Sequence, residues 1–253
     1  MIVVENLVKK YFEKVVVDGI SFKVENGEIY GFLGPNGSGK STTLKILAGV
    51  LKPTAGRVEI EGIDVVSNPV EVKKIIGYVP ETPTLYESLT PAELFSFIGG
   101  IRGIDEKILK ERVNRFVEAF EIGKYMNQFI GTLSFGTKQK ISLIASFLHD
   151  PKVIIMDESM NGLDPKSARI LRELLIKFRD DGKSIIFSTH VLPLAEMICD
   201  RIGLIYEGKL IAEGTMDELR EKAQEENLED IFLKLTKSKN EMANIIQALQ
   251  EVL

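Results

Sequence analysis

The chain has a single cysteine, Cys199, in 253 residues. No intrachain disulfide is possible, and a lone thiol beside Met197 and Ile198 reads as a small buried apolar residue. That usage suits a reducing cytosol. Long hydrophobic runs are also missing: nothing approaches the ~18 apolar residues that cross a bilayer. The first residues, Met1-Ile2-Val3-Val4-Glu5-Asn6, lack the basic start and apolar core of a secretion signal. A cytosolic chain is expected, with any membrane role reached through a partner. Excess positive charge is absent as well. Lys plus Arg is 32 against 37 for Asp plus Glu, a net charge of −5. This leaves no overall electrostatic footprint for non-specific nucleic-acid binding, and no nucleic-acid partner is expected. There is no internal repeat, no low-complexity tract and no N-K-x-D tetrad of the kind that reads guanine. The last absence argues against a GTPase switch. What remains is ordinary for a soluble globular protein: 44% hydrophobic and 27% charged residues. The length allows one large α/β domain or two small ones.

One stretch stands out. Gly34-Pro35-Asn36-Gly37-Ser38-Gly39-Lys40-Ser41-Thr42 fits G-x-x-x-x-G-K-[ST], the phosphate-binding loop. Glu28 to Leu33 before it is short, apolar and aromatic, a buried strand. Ser41 to Val50 after it repeats Leu44, Leu47 and Ala48 at helical spacing. Strand, glycine loop and helix, in that order, let backbone N–H groups turn inward and hold an anion at a helix N-terminus. Lys40 can then reach β- and γ-phosphates, and the Ser41 hydroxyl can enter a Mg²⁺ site. The bland alternative is a Gly-rich turn before a helix.

The rest of the chain supplies a sheet around this loop. Strands are expected at 2–8 and 15–24, with Tyr11 in the loop between them, either an ordinary aromatic or one that stacks on a base. Further strands are expected at 57–62 and 75–79, the latter ending at Pro80-Glu81. From Thr82 to about Asp150 the pattern turns helical. Thr90-Pro91-Ala92-Glu93 is a capping box, Asp105 opens a second helix through Phe120, and Thr137 to His149 gives a third. Lys152 to Glu158 is a near-continuous apolar run, as a central parallel strand requires. A helix over 165–179, a strand over 184–188, a helix to Asp200 and a hairpin around Glu207-Gly208 follow. The end is charged and helical. There Met242, Ile245, Ile246, Leu249 and Val252 share one face, which packs on the chain's own body or meets a partner.

Asp157-Glu158 closes an apolar strand, and strand C-termini in open α/β sheets face the ligand crevice. An Asp there can hold Mg²⁺, and an adjacent Glu can orient or deprotonate a water. At this point nearly the whole chain, roughly residues 2–215, resembles the ATP-binding subunit of ABC transporters. The phosphate loop matches. Leu133-Ser134-Phe135-Gly136-Thr137-Lys138-Gln139 resembles the family's signature loop, Asp157-Glu158 its Walker B Asp and catalytic Glu, and Asn161-Gly162-Leu163-Asp164-Pro165 the loop beyond them. His190 matches the switch histidine, and Tyr11 the aromatic under adenine.

The resemblance implies an α/β P-loop NTPase fold with a mostly parallel central sheet, an N-terminal antiparallel β subdomain and an inserted α-helical subdomain. Its boundaries would be 1–81 with 151–215 for the ATP-binding core, 82–150 for the helical insertion and 216–253 for a helical tail. It implies ATP and Mg²⁺ as ligands. Gly34 to Thr42, Tyr11, Ser134, Phe135, Gly136, Thr137 and Asp164 would contact nucleotide, and Ser41, Glu81 and Asp157 would surround the metal. Glu158 and His190 would carry hydrolysis. It also implies partners: a second ATPase subunit, identical or paralogous, sandwiching ATP head to tail, and a separately encoded transmembrane permease that brings the chain to the inner face of the membrane. Three residues depart from the family pattern, since Glu81, Phe135 and Thr137 stand where Gln, Gly and Gln are usual. Ser159 and Met160 also replace Pro-Thr. The tail segment Leu228 to Thr236 resembles the branch that exports drugs, sodium and polysaccharides. The competing expectation is a soluble ABC ATPase of a cytosolic assembly such as iron–sulfur cluster biogenesis.

Overall fold

A computed structural model describes residues 1–236. The stripe from Met242 to Val252 lies outside them. The chain opens with two antiparallel strands, β1 (Ile2–Tyr11) and β2 (Lys14–Val24), joined by Phe12-Glu13 alone. A two-residue connection lets the strands run on to the turn, so Tyr11 is the last residue of β1, opposite Lys14, and not in a loop. Then come β3 (Ile29–Leu33), α1 (Lys40–Leu47), β4 (Ala55–Ile60) and β5 (Ile63–Asp64). Next is α2 (Pro69–Ile75), a helix the sequence did not suggest: it buries only Val72, so it leaves no apolar stripe to read. β6 (Ile76–Val79) follows.

Three helices separate β6 from its neighbour: α3 (Pro91–Arg102), α4 (Glu106–Ala119) and α5 (Phe135–Phe147). The Thr90 side chain accepts from Glu93 N while Glu93 Oε2 accepts from Thr90 N (2.8 Å), the expected capping box. Asp105 caps α4 through Lys107 N and Ile108 N. Each such cap stabilises its helix by about 1 kcal/mol. These helices bury a core of their own, including Leu94, Phe95, Phe120, Ile130, Ile141 and Ile144. The sheet resumes with β7 (Val153–Asp157), then α6 (Pro165–Asp180), β8 (Ser184–Thr189) and α7 (Leu192–Ile198). The hairpin β9 (Arg201–Tyr206) and β10 (Lys209–Gly214) precedes α8 (Met216–Ala223) and α9 (Leu228–Leu235).

Two sheets result. One is antiparallel, in the order β2-β1-β4-β5. The other runs β10-β9-β3-β8-β7-β6, parallel except for β10. Every residue of β3, β7 and β8 is buried, as strands covered on both faces require. Register decides where the chemistry collects. Leu33 pairs with Thr189, and Asp157 with Ser188. The three strands therefore end level, and Gly34, Glu158 and His190 emerge side by side at one edge.

His149, just past α5, ties the helical segment to the sheet through Nε2 and the Ile76 carbonyl (2.9 Å). Burial, helped by the Arg102 charge, pushes its pKa down to about 4. The folded state thus keeps the ring neutral while the unfolded chain takes a proton near pH 6.5. The resulting stability is present above pH 6.5 and is lost as the pH falls through about 4. His149→Gln should flatten the fall of the thermal midpoint across that window; an unchanged slope would show that other groups set it.

Candidate functional site

The phosphate loop leaves β3 through Gly34, where a Cβ would lie 2.1 Å from the Ile205 carbonyl oxygen, so only glycine fits. Gly39 then turns at φ 108, a left-handed conformation, and starts α1 without any side-chain cap. The first N–H groups of α1 are left free of a capping side chain, which is the condition for anion binding at a helix start. Lys40 is 5% exposed. Its ammonium donates to Gly34 O (2.7 Å) and Pro35 O (3.2 Å) and stands 3.4 Å from Glu158 Oε1, an ion pair without a hydrogen bond. The loop, Val16, Glu81 and Glu158 line a cleft of about 320 Å³.

Asp157 and Ser41 meet on the floor. The Ser41 hydroxyl donates to Asp157 Oδ1 (3.0 Å), and so does Ser188 (2.8 Å). Asp157 Oδ2 is buried with no partner among the described residues. Burial pushes this carboxyl up, against the two serine hydrogen bonds. A hydroxyl and an under-satisfied carboxylate fit Mg²⁺, which takes one or two protein oxygens and fills its octahedron with water and phosphate. Among the described residues no three His, Cys, Asp or Glu side chains converge as a fuller metal cage.

Glu158 follows at φ 47, left-handed for a residue with a Cβ. Such a conformation costs about 1–3 kcal/mol and persists only where neighbours hold it. Its N–H donates to Ser188 Oγ (3.0 Å). Its carboxylate is 6% exposed, with Oε2 accepting from His190 Nδ1 (2.9 Å) and Oε1 buried without a hydrogen bond. A carboxylate only accepts, so Nδ1 carries the imidazole proton. The pair presents an oriented base beside the cleft.

A second helix start lies at α5. Ser134 is its N-cap, accepting from Thr137 N at a long 3.4 Å and meeting Thr137 Oγ1 at 3.0 Å. Because Ser134 caps, Phe135 and Gly136 belong to the first turn, two residues earlier than the sequence pattern indicated. At Gly136 a Cβ would sit 2.5 Å from Gly162 O, and the half-exposed Phe135 ring lies against Gly162. Asp164 caps α6 through Ser167 N (2.9 Å) and pairs with Lys140 of α5 (2.7 Å). That hydrogen bond from Lys140, followed by the Ser167 amide, holds the Asp164 carboxyl well below the usual carboxylate range.

The profile of the ABC transporter family matches residues 17–161. The chain belongs to the ABC transporter family. Among its relatives is the bacitracin transport ATP-binding protein BcrA of Bacillus licheniformis, 35% identical over 218 residues, 86% of this chain and 70% of that protein. A solved ATP-binding subunit of an ABC transporter superposes with a TM-score of 0.89 at 32% identity, covering 93% of this chain and 99% of the other. A dimeric ATP-binding cassette in a post-hydrolysis state with ADP and Pi gives 0.77 at 25%, covering 85% and 98%. The P-loop fold with its antiparallel sheet and inserted helices is therefore as the sequence implied.

Within this ABC cassette the expected residues fall into groups. Gly37, Gly39, Lys40, Ser41, Thr42, Asn36, Glu81 and Glu158 share the cleft, with Asp157 and His190 bonded to its members. Tyr11, Ser134, Phe135, Gly136, Thr137 and Asp164 do not line it. Tyr11 is partly exposed, with the Lys9 ammonium 5.0 Å over its ring. Sequence reasoning missed Ser188, which binds both Asp157 and Glu158 N. The signal was a serine at the same strand end as the histidine. Exposed Glu81 adds a negative charge to the cleft. Glu81→Gln should shift the Mg²⁺ concentration for half-maximal turnover severalfold while leaving Mg²⁺-free ATP affinity near wild type. Equal changes in Mg²⁺ dependence, ATP affinity and turnover would refute a metal-side role.

Proposed function

We propose that this chain binds and hydrolyses ATP as the nucleotide-binding subunit of an ABC exporter, acting in a head-to-tail dimer. The observation that carries this reading is the single cluster of Lys40, Ser41, Asp157, Glu158 and His190 at the level ends of β3, β7 and β8. In it, the α1 N–H groups and Lys40 bind the β- and γ-phosphates. Ser41 and Asp157 would hold Mg²⁺, with Glu81 facing it; when bound, the ion neutralises charge on the phosphate oxygens. Glu158 orients the attacking water and accepts its proton. His190, aimed through Nδ1 by Glu158, offers Nε2 toward the γ-phosphate. Tyr11 stacks on the adenine.

One chain does not bring the α5 start to this cleft, so a second copy or a paralogue supplies Ser134, Phe135, Gly136 and Thr137, with Asp164, to the far side of the nucleotide. The dimeric cassette bound to ADP and Pi supports that arrangement. ATP closes the dimer, and hydrolysis lets it open. The working units are 1–81 with 151–215, 82–150 and 216–253. No helix among the described residues is long and apolar enough to cross a membrane. In this reading a separate permease forms the export path and holds the chain at the inner membrane face, which the likeness to transporter ATP-binding proteins supports. A groove of about 620 Å³ beside the residues following Glu81, with Tyr86, Leu94, Ile98 and Ile101 on its wall, suits a cytoplasmic helix of that partner. The likeness to a bacitracin transport protein supports the transport role. Purification of the chain from detergent-solubilised native membranes tests the reading. A multi-span membrane protein should co-purify in equal ratio; recovery only with soluble partners would overturn the transport role and leave the ATPase.

A further inference from the structure

We infer that Gln139 is a positioning residue for hydrolysis: from inside α5 it holds the backbone beside Glu158 and so keeps the catalytic carboxylate aimed. Glu158 sits at φ 47 and needs restraint on both sides. On its N-terminal side Ser188 supplies it, accepting from the Glu158 N–H. On its C-terminal side the Ser159 carbonyl accepts from Gln139 Nε2 at 2.8 Å. Gln139 is 0% exposed and Ser159 2%, so water does not compete for this bond. Two further atoms point the same way. Among the described residues, neither Gln139 Oε1 nor Ser159 Oγ, both buried, has a partner. One is an acceptor and the other a donor, on residues already joined, so the amide is equipped to grip residue 159 at two points.

The position matters because of what else α5 carries. Its first turn bears Ser134 to Thr137, which in the proposed dimer serves the other ATP. Gln139 is in the next turn. One helix therefore presents a surface to one nucleotide while steadying the carboxylate at another. Lys140 to Asp164 and Gly136 against Gly162 reinforce the same seam. This inference rests on Glu158 being the group that activates water.

The test uses the full chain carrying Gln139→Leu, and separately Gln139→Met, which keeps the side-chain length and removes the donor. Steady-state hydrolysis and equilibrium ATP binding are measured for each, alone and combined with Glu158→Gln. The expected result is kcat lower by roughly 10- to 100-fold, since a misplacement on the order of 1 Å has that effect, with KM and ATP affinity near wild type. In the Glu158→Gln background, either change should cost no further turnover and should leave the ATP-induced dimer intact on size exclusion. Unchanged kcat in a folded variant overturns the inference. So does ATP affinity falling in step with kcat, or loss of the dimer in the double variant, since both describe a general packing defect. Wild-type turnover of Glu158→Gln by itself would instead remove the role of Glu158 on which the inference stands.

Discussion

Glu158→Gln should lower ATP turnover by at least about 10²-fold, the usual effect of losing a general base, and leave ATP binding intact. Glutamine keeps the shape, and its carbonyl oxygen still accepts from His190 Nδ1, so the hydrogen bond that orients the ring survives. What disappears is the proton acceptor and one buried negative charge facing the phosphates. Removing that charge favours the bound nucleotide, because the carboxylate is 6% exposed and poorly screened. Binding energy that closes the dimer is then not released by hydrolysis. A species of twice the mass should accumulate on size exclusion in ATP and Mg²⁺ and be absent with ADP. Turnover at the wild-type rate, or ATP affinity lost in proportion to rate, would falsify the assignment.

The parts of this site that were legible in the sequence are those written in consecutive residues. Gly34 to Thr42 spells a loop whose glycines are fixed by contacts a Cβ would break. The apolar run ending at Asp157-Glu158 announced a central strand, and the level ends of β3, β7 and β8 follow from parallel pairing. What stayed hidden depends on distance in space. Ser188 is a strand residue until β8 pairs with β7 and brings its hydroxyl 2.8 Å from Asp157. Gln139 closes the stretch that resembles the signature loop, but its full burial could not be read there, because it depends on α5 packing against the 158–162 loop. The end of β1 lies three residues, and the start of α5 two residues, from where the sequence pattern put them, because a short turn and an N-cap decided the boundaries. Of the family departures, Phe135 gains a place against Gly162, and Ser159 a role through its carbonyl. Met160, partly buried, packs against the core cluster that includes Val79, Leu143 and Met156.

Lys40→Met should weaken ATP binding by roughly tenfold to a hundredfold. A hydrogen bond to a charged group is worth about 1.5–3 kcal/mol, and each 1.4 kcal/mol is about a decade in affinity. Methionine fills much of the same space, so the loop need not collapse. The free protein should suffer as well. Lys40 now binds Gly34 O and Pro35 O and stands beside a carboxylate that, among the described residues, only His190 otherwise meets. Removing one member of a buried pair costs up to about 3–5 kcal/mol, because the remaining charge is left uncompensated. The nucleotide-free thermal midpoint should therefore fall in Lys40→Met. Adding Glu158→Gln should restore part of it, since the stranded charge is then gone. Isothermal titration measures the first effect and thermal denaturation without nucleotide the second. A double variant no more stable than Lys40→Met would show that the lysine steadies the loop through its two carbonyls alone. In that case the 3.4 Å approach to Glu158 contributes nothing to the resting protein, and its purpose lies wholly in the nucleotide-bound state.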